Sequence, residues 1–354
     1  MGDLRVAWWN LENLFDTDDD PMSADFEFTR AEGWTPELLA AKIANLAAVI
    51  NQLHADAGPE LLGVAEVEGD DVFADLLAAT GNSNLEVVRD DAGTSDLRGI
   101  DVSIAFDNRK LAVVEARSHT VYLRYATRDI FEVVFALTDT GRRLVVIASH
   151  WPSRRLGQLE SQPTRITVAE NIAFLVRDHV RFSSTDYLER RAQGDLAAVR
   201  ERFDTPVLIM GDFNDEPSDR SVVHHLQASS ELDRVVGPTN DIDRFVDEVA
   251  DYRNGDNWLY NPMWKFLPQE NTGTFFLAST SSGERFANRY QVLDQLVASR
   301  GLLIGDGPRL DVDSVAIHRT PSVATPSFRP RPFNRSTGKG TSDHLPLTAT
   351  IRWP

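Results

Sequence analysis

Residues 207–218 read VLIMGDFNDEPS. Four apolar residues in succession, Val207 to Met210, have the character of a buried strand. The run ends on Gly211, Asp212, Phe213, Asn214 and Asp215. Two acids and an amide at the end of a core strand are costly to bury without partners. They either cap a turn or gather around a cation and a water.

The same arrangement recurs along the chain. The strand Arg5–Trp9 ends at Asn10, and 61–65 ends at Glu66 in GVAEVEG. Strand 143–149 ends at His150 in ASHWPSRR, and 292–298 carries Asp294 in QVLDQLV. The last strand, 346–352, follows Ser342-Asp343-His344 in TSDHLPL. Polar residues collected at strand ends line the usual crevice of layered α/β folds. Period-two alternation puts Asp212 and Asn214 on one side of the chain.

Between these points the spacing predicts helices over 35–53, where Thr35 caps and Pro36 opens the first turn, and over 72–77, 165–182 and 186–203. Further strands are expected at 85–89, 101–106, 111–123, 130–137, 273–278 and 309–317. The segment 320–341, TPSVATPSFRPRPFNRSTGKGT, reads as a loop. Hairpin-like strand runs mixed with strand–helix alternation indicate a mixed α/β sandwich.

Composition bounds the function. The chain has 354 residues, 42% hydrophobic and 25% charged, as a packed globule requires. It has no cysteine, which excludes disulfides, thiolate metal sites and a Cys nucleophile. No signal peptide or run of the ~20 apolar residues that cross a bilayer is visible, so a cytoplasmic protein without an obligate protein partner is expected. The net charge of −18 argues against coating nucleic acid with a broad basic face, but leaves local phosphate contacts open. From Ser314 to Ser342 there is no acid, while Arg319, Arg329, Arg331, Arg335 and Lys339 are basic. This stretch is expected to be a mobile basic flap that draws in an anionic substrate.

The set Asn10 in WNLENLF, Glu66 in AEVE, His150 in SHWPSR, Asp212 and Asn214 in GDFND, Asp294 in LDQ, and Asp343 with His344 in SDHLP resembles the endonuclease/exonuclease/phosphatase superfamily, the metal-dependent phosphoesterases related to DNase I. The matches appear in the family's order from residue 10 to 344, so one catalytic domain is expected from the whole chain, 1–354. The resemblance implies a four-layer α/β sandwich, two mixed sheets face to face with helices outside. Phosphodiester hydrolysis needs neutralised phosphoryl oxygens, an aligned water and a stabilised leaving oxygen. Glu66 is expected as a metal ligand with Asn10 and Asp343. Oxygen donors without Cys favour Mg²⁺ or Mn²⁺. Asp212 would hold or deprotonate the water, Asn214 would orient it and bond the phosphate, and His150 would donate to the phosphoryl oxygens. His344 with Asp294 would form a base–orienter pair. Arg154 and Arg155 are candidates to clamp the phosphate.

Three functions compete on this reading. A DNA or RNA nuclease leads; a phosphatase or phosphodiesterase of a small molecule or lipid headgroup is second; a cation-stabilised binding module without activity is third. Trp258, Tyr260, Trp264 and Phe266 are weighed as a substrate wall against plain packing. His54, His119, His179, His224, His225 and His318 have no evident partners in sequence.

Overall fold

Alternation along the buried strands sets the layering. The computed structural model describes residues 2–20, 26–89, 98–238, 242–243, 249–277 and 289–354. Its first elements are β1 (Gly2–Leu14), α1 (Pro36–Asp56), β2 (Leu61–Val67), α2 (Asp70–Thr80), β3 (Leu85–Val87) and β4 (Asp101–Asp107). Then come β5 (Leu111–His119), β6 (Ile130–Leu137), β7 (Arg143–His150), α3 (Gln158–Val180), α4 (Ser184–Gln193), α5 (Leu196–Phe203) and β8 (Val207–Asp212). The remaining strands are β9 (Ala228–Ser229), β10 (Leu259–Tyr260), β11 (Phe275–Phe276), β12 (Tyr290–Gln291), β13 (Asp294–Ala298), β14 (Arg309–Ile317) and β15 (Leu347–Trp353). One sheet runs β14-β15-β1-β2-β4-β3 and the other β5-β6-β7-β8-β13-β10-β9. They form the expected sandwich, with α1 and α2 against the first sheet and α3 against the second.

The VLIM run shows why both faces are apolar. Leu208 and Met210 belong to the core between the sheets. Val207 and Ile209 pack instead with Val168, Ile172 and Val176 of α3. A strand covered on both sides has no polar face to show. The sheets meet closely at Gly63, where an added Cβ would sit 2.4 Å from Met210 Sδ and 2.9 Å from Trp8 Cε3. Gly63→Ala is expected to lower stability by about 1–3 kcal/mol through overpacking. A urea midpoint that does not move would contradict this contact.

Register then aligns the strand ends. β7 and β8 are parallel with His150 opposite Asp212. β13 is antiparallel to β8 and sets Asp294 opposite Asp212. β1 and β2 are parallel with Asn10 opposite Ala65, next to Glu66. β1 also pairs with β15 from Gly2↔Trp353 to Trp8↔Leu347, which brings the two ends of the chain into one sheet.

Several expectations are corrected. The helix expected over 186–203 breaks at Gly194, whose φ of 74° ends α4, and Asp195 caps α5. The strand expected at 273–278 is reduced to Phe275–Phe276, and residue 278 lies outside the described residues. The segment 320–341 is a bridged arm rather than a free flap: Arg331 pairs with Ser342 and Asn334 with Lys339. It is tied to α1, where Asn45 Nδ2 donates to the carbonyls of Gly338 (3.0 Å) and Gly340 (2.9 Å). The aromatic stretch around Trp258 sits at the wrong end of its sheet for substrate, since Tyr260 pairs with Ala298 while Asp294 is at the opposite end of β13. Five of the six remaining histidines do have partners: His119 and His179 flank Glu132, His225 meets Glu170, His54 meets the Val6 carbonyl and His318 meets the Thr320 hydroxyl. Against expectation, α1 is long and apolar enough by length and composition to cross a membrane. Here its Leu46, Val49, Ile50 and Leu53 are buried in the core.

Candidate active site

The side chains at the strand ends meet in one cleft. Asn10 Nδ2 donates to Asp212 Oδ2 (3.1 Å) and Glu66 Oε1 (3.3 Å), across a sequence separation of 202 and 56 residues. His150 Nε2 lies 3.5 Å from Asp212 Oδ2 and 3.9 Å from Glu66 Oε1. His344 Nε2 lies 3.8 Å from the same Asp212 oxygen, while its Nδ1 is 2.7 Å from Asp294 Oδ2. Asp212 is thus flanked by two imidazoles and an amide.

Local backbone explains how each is presented. Asn214 has φ of +50° and its N–H donates to Asp212 Oδ1 (2.9 Å), so an Asx turn, and not strand alternation, holds the two together. Asn214 Nδ2 donates to the Trp151 carbonyl (3.0 Å), and Trp151 stacks on Phe213 at 4.3 Å between centroids. Glu66 also has positive φ, +62°, and its Oε2 accepts from Asn13 N (3.0 Å). Ser342 Oγ donates to the Asn10 carbonyl (2.6 Å) and accepts from His344 N (3.0 Å), tying β1 to the last motif.

The electrostatics separate the groups. Burial pushes the Asp212 carboxyl up to about 7; nearby Asp294 adds to this and His344 opposes it. Burial alone would lower His344, but Asp294 and Asp212 hold it well above the usual imidazole range, as imidazolium. Burial, with Arg128 and His344 nearby, holds His150 well below that range, so it is neutral. The recessed position of Asp343 raises its carboxyl; Glu66 adds to the rise and His344 opposes it. Glu12 is raised to about 7 by burial and by Asp343.

Glu12, Glu66 and Asp343 are therefore carboxylates crowded on one side of the cleft. Such a set of oxygen donors fits a hard divalent cation, which would relieve their mutual repulsion. Asp212, Asp294 and His344 also offer one ligand atom each within 4.8 Å of one another. His344 is already paired there with both carboxylates, at 2.7 Å from Asp294 and 3.8 Å from Asp212.

The two arginines expected to clamp phosphate separate. Arg154 is spent internally: it donates to the Asn214 carbonyl (2.5 Å), Asp215 (3.0 Å) and Asp219 (2.6 Å). It holds the turn at Asn214 and Asp215. Fully buried Arg165 reinforces this through Asp215 at 2.8 Å. Arg155 is exposed.

Sequence reasoning missed two supports. Trp8 Nε1 donates to Asp294 Oδ1 (2.9 Å), and its signal was the period-two spacing to Asn10. Lys42 is buried with its ammonium on the carbonyls of Glu12 and Asn13. A lone lysine four residues before Leu46 on the apolar stripe of α1 was the available sign.

The model of the Endonuclease/Exonuclease/phosphatase family matches residues 5–352. No curated protein matches the sequence. Among solved structures, an endonuclease/exonuclease/phosphatase family protein from Bacteroides thetaiotaomicron superimposes with a TM-score of 0.54 at 14% identity, covering 100% of this chain and 96% of that one. A mannosyl-6-phosphatase of the same organism gives a TM-score of 0.51 at 14% identity, with 99% and 100% coverage. TDP2 from D. rerio, complexed with single-strand DNA product, gives 0.53 at 11% identity, with 99% and 100% coverage. At these identities the likeness is one of fold.

Proposed function

Because the chain belongs to the endonuclease/exonuclease/phosphatase family and is a phosphoric ester hydrolase, we propose that it hydrolyses phosphodiesters with Mg²⁺ or Mn²⁺, and that its substrate is DNA or RNA. The observation that carries the reading is the single Asp212 oxygen lying 3.5 Å from His150 Nε2 and 3.8 Å from His344 Nε2, beside Glu66.

In this reading Glu66, Asn10 and Asp343 would hold the ion, with Glu12 close by. Bound there, the ion supplies charge neutralisation on the phosphoryl oxygens. Asp212 takes a proton from the attacking water, since a carboxyl raised toward neutrality suits a general base. His344 is already protonated and cannot take that proton. It faces the developing phosphorane charge, oriented by Asp294. Neutral His150 donates a hydrogen bond to a phosphoryl oxygen, and Asn214 orients the water. Arg154 positions Asn214.

A phosphatase of a small molecule is the second reading. The net charge of −18 favours it, as does the similar fold of a mannosyl-6-phosphatase. Plasmid DNA, RNA, bis-p-nitrophenyl phosphate and p-nitrophenyl phosphate, each with Mg²⁺, Mn²⁺ or EDTA, separate the two. Plasmid nicking that EDTA abolishes is expected. Turnover of p-nitrophenyl phosphate alone would assign the phosphatase, and activity undiminished by EDTA would reject the metal.

A further inference from the structure

A chain of aromatic rings runs outward from the Glu66 side of the cleft. Asn13, whose N–H binds Glu66, accepts from Arg98 through its Oδ1. Arg98 lies over the Phe15 ring at 5.7 Å. Phe15 stacks on Phe28 with centroids 4.4 Å apart and planes 11° from parallel. Arg335 lies over Phe28 at 5.3 Å and over Trp34 at 5.5 Å. Trp34 meets Phe333 edge-on, and Phe333 N donates to Glu12 Oε2 (2.8 Å), which closes the circuit back to the cleft.

Of the five basic residues in the acid-free arm, Arg335 is the one that reaches this wall. Arg329 stacks on Phe276, Arg319 on Phe328, and Arg331 donates to the Ala324 carbonyl. Among the described residues Arg335 has no carboxylate partner, and one of its nitrogens donates to the Glu32 carbonyl (3.2 Å). Guanidinium groups laid on aromatic faces are held in place while their edge donors stay available, and they bind phosphate bidentately. In a chain of net charge −18, Arg335 is a cation without a carboxylate partner among the described residues.

We infer that Arg335, fixed on the Phe28 and Trp34 rings, binds a second phosphate of the substrate, beyond the one hydrolysed at Asp212. The substrate then carries at least two phosphate groups, as a nucleic-acid strand or a small bisphosphate does. This rests on the phosphoesterase reading of the neighbouring site and narrows its substrate.

Binding tests it without turnover. Asp212→Asn and Asp212→Asn/Arg335→Gln proteins are titrated with a labelled six-nucleotide oligodeoxynucleotide, followed by anisotropy. A sugar bisphosphate and a dinucleoside monophosphate compete. Arg335→Gln is expected to weaken the oligonucleotide about tenfold and the single-phosphate competitor less than about twofold. Weakening of the bisphosphate as well would show that the second phosphate is recognised whatever carries it. Weakening of the strand alone would place that phosphate in a polymer. Arg335→Lys, which keeps the charge but loses the fork, should fall between, and it serves if the Gln protein misfolds. Equal effects on all three ligands, or none, would overturn the inference. Failure of wild-type protein to hydrolyse bis-p-nitrophenyl phosphate would count against the reaction and not against this subsite.

Discussion

Asp212→Asn protein is expected to hydrolyse bis-p-nitrophenyl phosphate about 10²–10⁴ times more slowly than wild type, with the loss in kcat. The amide keeps the shape of the carboxyl and can still accept from Asn214 N, but it cannot take a proton from water. Stability should not suffer, because the replaced carboxyl is buried against Asp294 and raised by it. Removing a buried group held toward its neutral form takes away little that favours folding. A kcat within tenfold of wild type, with an unchanged melting temperature, would remove Asp212 from the chemistry.

Loss of His344 comes second in size. His344→Gln is expected to lower kcat about 10²–10³-fold, as removal of a preorganised donor to a developing oxyanion does elsewhere. The partner should behave as part of the same unit. Asp294→Asn breaks the 2.7 Å bond to Nδ1 that orients the ring and sustains its charge. The double variant is therefore expected to be little worse than His344→Gln alone, since residues acting as one unit are strongly non-additive. Losses that multiply would show that Asp294 acts independently of the histidine, for instance through the bond it accepts from Trp8.

The two predictions treat the residues unequally in one respect. Asp212 stands two residues from Asn214 at the end of one strand, whereas His344 and Asp294 lie 50 residues apart and their pairing was expected only with the family resemblance. The same contrast runs through the protein. Val207–Met210 announced a buried strand, and it packs on α3 on one side and between the sheets on the other. The break of 186–203 at Gly194 was also written locally, in a glycine suited to the left-handed turn.

Arg154 shows where local reading stops. Next to His150 in sequence it looked free to take phosphate, but Asp215 and Asp219, more than 60 residues away, claim its guanidinium. The arm 320–341 likewise had the composition of a loop, and its bridges and its bonds to Asn45 on α1 reveal that it is held.

Taken alone, the order of residues determined which elements form, which of their faces are apolar, and which polar groups stand at strand ends. Those properties depend on neighbours a few positions apart, through helical and strand periodicity and backbone sterics. Tertiary structure decided which of these ends meet and which charges are neutralised. Trp9 and His344, 335 residues apart, are joined by a hydrogen bond because the pairing of β1 with β15 within one sheet leaves them side by side. Burial in the same cleft then raises Asp212 and silences His150, since the energy of a charge depends on what surrounds it in space and not on what precedes it in the chain.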